Sequence, residues 1–261
     1  MQYISSKENS LIKQIKKLKE KKHRVESNTF LVEGFRFVEE ALKSSFNVKY
    51  IFINENADEE YCKKYINRYK CSAEIYSVSN MVFKTLSSTE TPQGAIAVVE
   101  NKSLNFKYSN GFYILVDKVQ DPGNLGTIIR TAHAAGGLGV ILTKGTVDVY
   151  NEKTLRSTMG SIFNIPVIED KDLSVIKELK NKGYKLITSS LDTNNNFYDI
   201  DLSGKSIITV GNEGKGISRE VYEISDEKVK IPMPGGAESL NASVAASIMM
   251  YEAVRQKNIL K

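Results

Sequence analysis

The sequence predicts an α/β protein whose second half forms a parallel sheet. After residue 105, short apolar runs alternate with stretches of helical periodicity. The runs are FYILVDKV, GVILT, YKLITSS, KSIITVG and KVKIPM, and the helical stretches fall around residues 125–136, 151–159, 171–182, 218–224 and 240–257. Buried strands that alternate with helices are typical of a parallel sheet covered on both faces. In such sheets ligands bind beyond the carboxyl ends of the strands, so the loops there are the place to seek a site.

The first part of the chain predicts a smaller α/β domain. TFLVEG, VKYIFIN, EIYSVS and GAIAVVE have the pattern of strands, and FRFVEEALKS, ADEEYCKKYINRY and NMVFKTLSS between them have that of helices. The polar stretch NKSLNFKYSN, residues 101–110, is typical of a linker. We therefore predict one domain over residues 1–104 and a second over residues 105–261.

The composition indicates an ordinary globular protein. The chain has 261 residues, of which 41% are hydrophobic, and this suffices for a core in each of two modest domains. No stretch approaches the ~20 apolar residues of a membrane span, and the start MQYISSKENS lacks the apolar region of a signal peptide. Cys62 and Cys71, together with two histidines, form no zinc-binding pattern. We expect a cytoplasmic protein without a metal.

The positive charge is concentrated at the start of the chain. Residues 1–26 hold eight Lys or Arg against three Glu, which accounts for the whole net charge of +5. Leu11, Ile15 and Leu18 recur at helical spacing, so we predict an amphipathic helix with a basic outer face. Such a face either binds phosphates or is simply exposed to solvent, and the run of charges alone does not distinguish these two roles. The candidate RNA-binding residues are Lys13, Lys16, Lys17, Lys19, Lys21, Lys22 and Arg24.

Two loops of the second half have unusual sequences. In QDPGNLGTIIRTAHAAGG, Asn124 is a good N-cap and Arg130 projects from the second turn of the helix, although alone it is compatible with an ordinary surface arginine. The loop GNEGKGIS, residues 211–218, fits neither of the phosphate-binding glycine patterns. Glu213 would repel a pyrophosphate, so a ligand held there is neutral or cationic. A plain glycine turn is equally compatible with this loop taken singly.

A third loop lies in IPMPGGAESLNASVAASIMM, residues 231–250. Pro234, Gly235 and Gly236 permit backbone conformations and close approaches that side chains forbid. The Ala and Ser residues that follow let a helix lie tightly against neighbouring backbone, so we expect a segment to be threaded or clasped there. Ser239 and Asn241 supply polar groups beside the loop, or cap the helix.

Together the three loops resemble the signature motifs of the SpoU/TrmH family of SPOUT RNA ribose 2′-O-methyltransferases. The motifs are NLGTIIRTAHAAG, VGNEGKGIS and IPMPGGAESLNASVAASIMMYEAVRQ, in the family's order. FLVEGFRFVEEAL and TPQGAIAVV resemble the substrate-binding domain of the family's ribosomal-RNA branch. The resemblance implies a parallel-sheet SPOUT domain with a C-terminal trefoil knot, preceded by a small α/β RNA-binding domain. It also implies a homodimer that uses S-adenosylmethionine and no metal.

The resemblance assigns residues to the methyl donor and to the chemistry. Those matching the donor site are Ser189, Ser190, Gly211, Gly216, Ile231, Met233 and Leu240. Those matching the catalytic site are Asn124, Arg130, Glu213, Ser239 and Asn241. By this resemblance Arg130 touches the ribose hydroxyl, either as a base or, since a guanidinium normally stays protonated, as an anchor for the adjacent phosphate. His133 has no counterpart, and packing or a surface role is the default.

Three alternatives remain at this level. A dehydrogenase on an α/β fold would need a GxGxxG motif, which the sequence lacks. A non-catalytic RNA-binding protein on the same fold would not need every polar motif position to be filled, as they are here. Transfer RNA is the alternative substrate, and the N-terminal domain favours ribosomal RNA. The sulfonium cation of the donor is compatible with Glu213 in the glycine loop.

Overall fold

The computed structural model describes the backbone of residues 1–259 and the side chains of residues 1–257. The chain divides into two compact units. The first unit contains residues 1–102 and 150–163, and the second contains residues 103–149 and the chain from residue 164 onward. The sequence does not predict that residues 150–163 belong to the first unit, because their helical pattern is that of any crossover helix.

The first unit is built on a five-stranded mixed sheet. Its strands are β1 (Gln2–Ile4), β2 (Thr29–Glu33), β3 (Val48–Asn54), β4 (Glu74–Val78) and β5 (Ala95–Glu100), in the order β1-β4-β3-β5-β2. β1, β4 and β3 run parallel, whereas β5 is antiparallel to both β3 and β2. Four of these strands were predicted, and β1 was missed because only Ile4 of its three residues is buried.

The basic N-terminal segment forms two helices where the sequence predicted one. They are α1 (Ser10–Lys17) and α2 (Lys21–Ser27). The chain turns between them, and Arg24 Nη1 donates hydrogen bonds of 2.8 Å to the carbonyl oxygens of Leu18 and Lys19. Arg24 thereby satisfies carbonyls that the end of α1 leaves without helical partners.

The remaining helices of the first unit follow the predicted order. They are α3 (Phe35–Lys43), α4 (Glu59–Cys62), which continues as a π-helical turn over Lys63–Asn67, and α5 (Asn80–Leu86). Ile12, Ile15 and Leu18 are buried in a core that they share with Phe83 and Leu86 of α5. This packing fixes α1 to the unit and turns its lysines outward.

The second unit contains the predicted parallel sheet. Its strands are β6 (Gly111–Val116), β7 (Gly139–Thr143), β8 (Val167–Asp170), β9 (Lys185–Ser189), β10 (Lys205–Val210) and β11 (Glu227–Val229). Their order is β11-β9-β10-β6-β7-β8, and every neighbouring pair is parallel. The prediction of a parallel sheet is therefore confirmed. β8 was missed because it lies at an edge and its sequence VIED is half polar.

Helices follow most of these strands. α6 (Pro122–Ala134), α8 (Ser174–Asn181), α9 (Arg219–Glu223) and α10 (Ala242–Ile259) belong to the second unit, and α7 (Glu152–Thr158) belongs to the first. α10 packs against α6, β10 and β6. Its Ala246, Met249 and Met250 are fully buried.

The segment predicted to be a linker is anchored over residues 106–109. The ring of Phe106 stacks on Tyr113 with 4.9 Å between centroids. Tyr113 and Tyr184 donate hydrogen bonds of 2.7 Å to the carbonyl oxygens of Lys107 and Ser109, respectively. These contacts fix residues 106–109 to the second unit, because the two buried tyrosines need acceptors for their hydroxyl groups.

Candidate active site

A cavity of about 560 Å³ lies at the carboxyl ends of β9, β10 and β11 in the second unit. Its size is within the range of small-molecule sites. All seven residues predicted to bind the methyl donor line it: Ser189, Ser190, Gly211, Gly216, Ile231, Met233 and Leu240. Glu213 and Ser239, predicted for the chemistry, also line it. The three chain segments that supply these residues are thus brought together by the parallel sheet.

The loop over residues 211–217, which we call the donor loop, contributes every one of its residues to the cavity wall. It closes on itself, since Asn212 N donates to Gly216 O at 3.0 Å and Gly216 N donates to Asn212 O at 2.9 Å. Asn212 Oδ1 accepts from the backbone N–H groups of Gly214 and Lys215. Asn212 therefore organises this loop, a role the sequence did not assign to it.

Glu213 joins the donor loop to the start of α6. Its carboxylate accepts hydrogen bonds from Asn124 Nδ2 at 2.9 Å and from the backbone N–H groups of Gln120 and Asp121 at 3.2 and 3.3 Å. Burial alone would raise the pKa of Glu213, but these hydrogen bonds hold its pKa below the usual value. The cavity therefore has a carboxylate anion in its wall at neutral pH.

Asn241 continues this network from the third loop. Its Nδ2 donates to Asn124 Oδ1 at 3.0 Å, and its Oδ1 accepts from Ser243 N and Val244 N at the start of α10. The capping role and the site role foreseen for this residue are thus combined. Glu213, Asn124 and Asn241 form one hydrogen-bonded chain across three loops.

The start of α6 differs from the prediction that Asn124 is its N-cap. The helix begins at Pro122, and the N-cap is Asp121, whose side chain accepts from Asn124 N at 2.8 Å. Asn124 lies in the first turn, where its side chain is free to bond Glu213 and Asn241. The Asp-Pro pair was the signal that could have placed the cap, because proline favours the first helical position.

Arg130 lies on α6 and is exposed to solvent. It is not among the residues that line the cavity, and no hydrogen bond or ion pair joins it to the side chains that the structure describes. Of the five predicted catalytic residues, the structure therefore connects Asn124, Glu213 and Asn241 by hydrogen bonds and places Ser239 in the cavity wall. It leaves the Arg130 guanidinium available for a ligand.

The glycines of the third loop are open. A Cβ atom built on Gly235 would meet no heavy atom of the described chain within 4 Å, so close packing within the chain does not explain this residue. Gly236 has φ of +77°, a conformation that favours glycine. The expected close approach at Gly235 is thus not found among the described residues.

Acidic groups outnumber basic ones around the cavity. Its charged lining residues are Asp192, Glu213, Glu238 and Lys215. Tyr222, which the sequence did not single out, also lines it, and Lys228 Nζ lies 3.8 Å from the centre of the Tyr222 ring. A net negative wall suits a ligand with cationic groups.

The predicted basic face of the first unit is present in part. Lys13, Lys16, Lys17, Lys19, Lys21 and Lys22 are all exposed. Lys13 pairs with Glu8 at 2.5 Å, and Lys19 Nζ donates to Ser87 O at 2.7 Å. Arg24 is only 9% exposed and is bonded to the end of α1, so it does not lie on the exposed basic face to which the sequence assigned it.

Neither a membrane-spanning helix nor a metal-binding cluster is found in the described part of the chain. No helix within residues 1–259 is long and apolar enough to cross a membrane. No group of three or more His, Cys, Asp or Glu side chains in the same range is arranged to hold a metal ion.

Known proteins share both halves of this architecture. The model of the SpoU rRNA Methylase family matches residues 111–251, and that of the MRM3-like substrate binding domain matches residues 9–97. The chain is 40% identical to the 23S rRNA (guanosine(2553)-2′-O)-methyltransferase RlmP of Bacillus subtilis, over 96% of this chain and 98% of that protein.

Two solved structures with bound AdoMet (S-adenosylmethionine) are also similar. One is an rRNA methyltransferase from Sinorhizobium meliloti, with a TM-score of 0.85, 32% identity and 97% of each chain covered. The other is the SpoU methyltransferase AviRb from Streptomyces viridochromogenes, with a TM-score of 0.86, 26% identity, and 96% of this chain and 98% of that chain covered.

The fold and the cavity thus define a methyltransferase of the SPOUT class with an N-terminal domain. Within that class, the chain belongs to the SpoU rRNA Methylase family. This membership confirms the predicted enzyme class, an RNA 2′-O-methyltransferase, and its donor, S-adenosylmethionine.

Proposed function

We propose that this enzyme transfers the methyl group of S-adenosylmethionine to a ribose 2′-hydroxyl of 23S ribosomal RNA. The observation that carries the proposal is the hydrogen-bonded chain Glu213–Asn124–Asn241, which joins the wall of the cavity to the helix that bears Arg130. The full-length similarity to RlmP, whose name states a 23S rRNA target, favours ribosomal over transfer RNA.

The residues of the cavity fit the methyl donor. Buried Ile231 and partly buried Leu240 and Met233 offer apolar surface for an adenine ring. Asp192, Glu213 and Glu238 supply negative charge for an ammonium and a sulfonium. When bound, S-adenosylmethionine supplies an electrophilic methyl group. We assign donor binding to Ser189, Ser190, Gly211, Gly216, Ile231, Met233 and Leu240.

The protein's own groups must orient the ribose oxygen and assist the loss of its proton, because a free hydroxyl is a poor nucleophile. Arg130 is exposed and lacks a carboxylate partner among the described side chains. A guanidinium has five hydrogen-bond donors in a fixed geometry and no acceptor. We therefore propose that Arg130 binds the phosphate beside the acceptor ribose and polarises the 2′-oxygen. Asn124 and Asn241 hold the first turns of α6 and α10 in place for it.

RNA capture is assigned to the first unit, whose family match is a substrate-binding domain over residues 9–97. The exposed lysines of α1 and α2 face solvent and carry charge of the sign that binds phosphates. Residues 1–104 would then form the RNA-binding domain and residues 105–261 the methyltransferase domain, except that residues 150–163 belong to the first unit. Arg24 is not part of this surface because it is buried.

We further infer a homodimer and a trefoil knot. On α10, Val244 and Tyr251 are 46% and 52% exposed and share a face with Ile248, which is an apolar surface suited to a second copy. The knot is supported by the small residues of α10 and by the resemblance of the third loop to the family's signature motif. A monomer mass by light scattering at micromolar concentration would contradict the dimer. Because ribosomal RNA is the substrate, the proposed place of action is the cytoplasm.

The test is methyl transfer to RNA with labelled S-adenosylmethionine. We expect label in 23S RNA transcripts at a single ribose, detected as one site resistant to alkaline cleavage, and none in transfer RNA. Loss of that mark in a deletion strain and its return with the wild-type gene would support the assignment in the cell. Label in transfer RNA alone, or none in any RNA despite donor binding, would overturn it.

A further inference from the structure

A buried carboxylate that the proposed chemistry does not use lies directly after β6. Asp117 is 0% exposed. Its Oδ1 accepts from Thr143 Oγ1 at 2.7 Å, and its Oδ2 accepts from Ser218 N at 2.5 Å. A carboxylate is removed from water at high cost unless hydrogen bonds compensate it, so these two bonds explain how the structure accommodates this group.

Asp117 and the next residue hold both ends of the donor loop. Ser218, bonded to Asp117, is the first residue after the loop. Near the start of the loop, Asn212 Nδ2 donates to Lys118 O at 2.9 Å. The loop is therefore fixed near both ends, at Asn212 and at Ser218, to two consecutive residues that directly follow β6. These bonds are separate from those that Glu213 makes to residues 120–124.

The backbone at Lys118 is specialised for this contact. Lys118 has φ of +56°, a left-handed conformation that favours glycine. Its N–H donates to the hydroxyls of Thr143 and Thr146, both at 3.1 Å. Thr143 thus accepts from Lys118 and donates to Asp117, so one hydroxyl sets the positions of both residues.

From this arrangement we propose that Asp117 is a positioning residue, which holds the donor loop in the conformation that binds S-adenosylmethionine. All seven loop residues line the cavity, so a shift of the loop changes the cavity directly. Without the charge of the carboxylate, the hydrogen bond from Ser218 N is weaker, and so is the loop's second attachment. The inference rests on the proposed function, since it takes the cavity as the donor site.

The experiment uses isothermal titration of the full-length protein with S-adenosylmethionine. Asp117→Asn keeps the shape of the side chain and removes its charge. A hydrogen bond to a charged group contributes more than a neutral one, so we expect the donor Kd to rise about tenfold. The number of sites per chain should stay at the wild-type value, and RNA affinity without donor should not change.

The matched control is Asp170→Asn. Asp170 is 1% exposed, lies at the end of β8 in the same unit, and accepts from Ile176 N at 3.0 Å. It does not line the cavity. This change removes an equally buried charge from a backbone contact of the same kind. We expect a lower midpoint of unfolding and an unchanged donor Kd.

A second variant removes the same bond from the other side. Ser218 has φ of −66°, which proline adopts, and its side chain makes no cap hydrogen bond. Ser218→Pro deletes the N–H and leaves Asp117 and Thr143 intact, so it should raise the donor Kd like Asp117→Asn. It serves if Asp117→Asn does not fold.

Four outcomes are distinguishable. A purely structural role for Asp117 would lower the number of sites per chain and leave Kd unchanged, which overturns the inference. Equal weakening of Kd in the Asp117 and Asp170 variants overturns it as well. Wild-type protein that failed to bind S-adenosylmethionine would remove the proposed function, and the inference with it. If the wild type binds and both Asp117→Asn and Ser218→Pro bind equally well, only the inference fails.

Discussion

A Cβ atom on Gly211 would lie 2.4 Å from the carbonyl carbon of Gly216, a distance that side-chain atoms do not reach. The backbone of the donor loop thus touches itself where the loop leaves β10. Asn212 N donates to Gly216 O immediately beside this contact. The closed form of the donor loop therefore depends on the absence of a side chain at residue 211.

The first prediction concerns Gly211→Ala. The added methyl group would meet three backbone atoms of Gly216 and Ile217 within 2.6 Å, and backbone cannot move aside as a flexible side chain can. We expect the loop to open and the donor Kd to rise by roughly tenfold or more, as measured by isothermal titration.

Gly214→Ala is the matched control for that change. Gly214 lies in the same loop and also lines the cavity, but its added Cβ would meet only Asn212 Oδ1, at 3.8 Å. This is an ordinary contact, so donor affinity should stay within about threefold of wild type. Wild-type affinity in Gly211→Ala would show that the loop's closure does not shape the donor site.

The second prediction concerns Arg130. Because Arg130 does not line the cavity, Arg130→Ala should leave donor affinity unchanged and lower methyl transfer by about 10²–10³-fold. Arg130→Lys keeps the charge but loses the planar fork, so it should restore little activity. Single-turnover assays with saturating RNA measure the effect. Near-normal transfer by the Lys variant would mean that a point charge is sufficient.

Most of the secondary structure of this chain could be predicted because its core strands are continuous apolar runs. GVILT and VKYIFIN, for example, form β7 and β3 over their whole predicted length. The strands that were missed, β1 and β8, have little burial and lie at sheet edges. Pattern alone does not distinguish such edge strands from loops, since the hydrogen bonds that define them come from a distant part of the chain.

The sequence of the loops predicted which residues belong to the site, but it did not predict the hydrogen bonds between them. The sequence could place Glu213, Asn124 and Asn241 on three loops, but the bonds between them span 89 and 117 positions along the chain. Asp117 stands within the predicted apolar strand FYILVDKV, with no local sign of its bond to Ser218. The sequence predicted Arg24 as one more cation on the outer face of a basic helix. It is buried because the chain turns after Leu18, and this turn was not predicted.

The third prediction is a pH dependence at Glu213. Its pKa in the folded protein lies below the usual value of about 4.3, so the ionised carboxylate favours the folded state. That contribution is fully present above about pH 5 and is lost as the pH falls through the folded pKa. We expect wild type to unfold at a higher temperature than Glu213→Gln at pH 7, and the difference to shrink toward pH 3. A difference that stayed constant over this range would argue against an ionised Glu213.

The fourth prediction assigns Arg24 to stability. Arg24→Ala removes two charge-assisted hydrogen bonds from a buried position and leaves the carbonyls of Leu18 and Lys19 without these donors. We expect a loss of about 1–3 kcal/mol in the free energy of unfolding, measured with urea. Lys22→Ala, at an exposed position in the same helix, should change it by less than about 0.5 kcal/mol. Equal losses of stability in the two variants would indicate that Arg24 is exposed to solvent like Lys22.

The last prediction tests RNA capture by the exposed lysines. Lys13, Lys16, Lys17 and Lys22 are exposed, whereas Lys19 is excluded because it bonds Ser87 O. Changing these four to Gln should weaken RNA binding, and the slope of log affinity against log salt should fall by roughly 0.7–0.9 for each phosphate that the variant no longer binds. Donor affinity should not change, and transfer should fall far more at limiting than at saturating RNA.

A control that replaces Lys63, Lys64, Lys70 and Lys84, exposed elsewhere in the same unit, removes equal charge. If both sets lowered the slope alike, RNA would be held by overall charge and the face formed by α1 and α2 would have no special part in it.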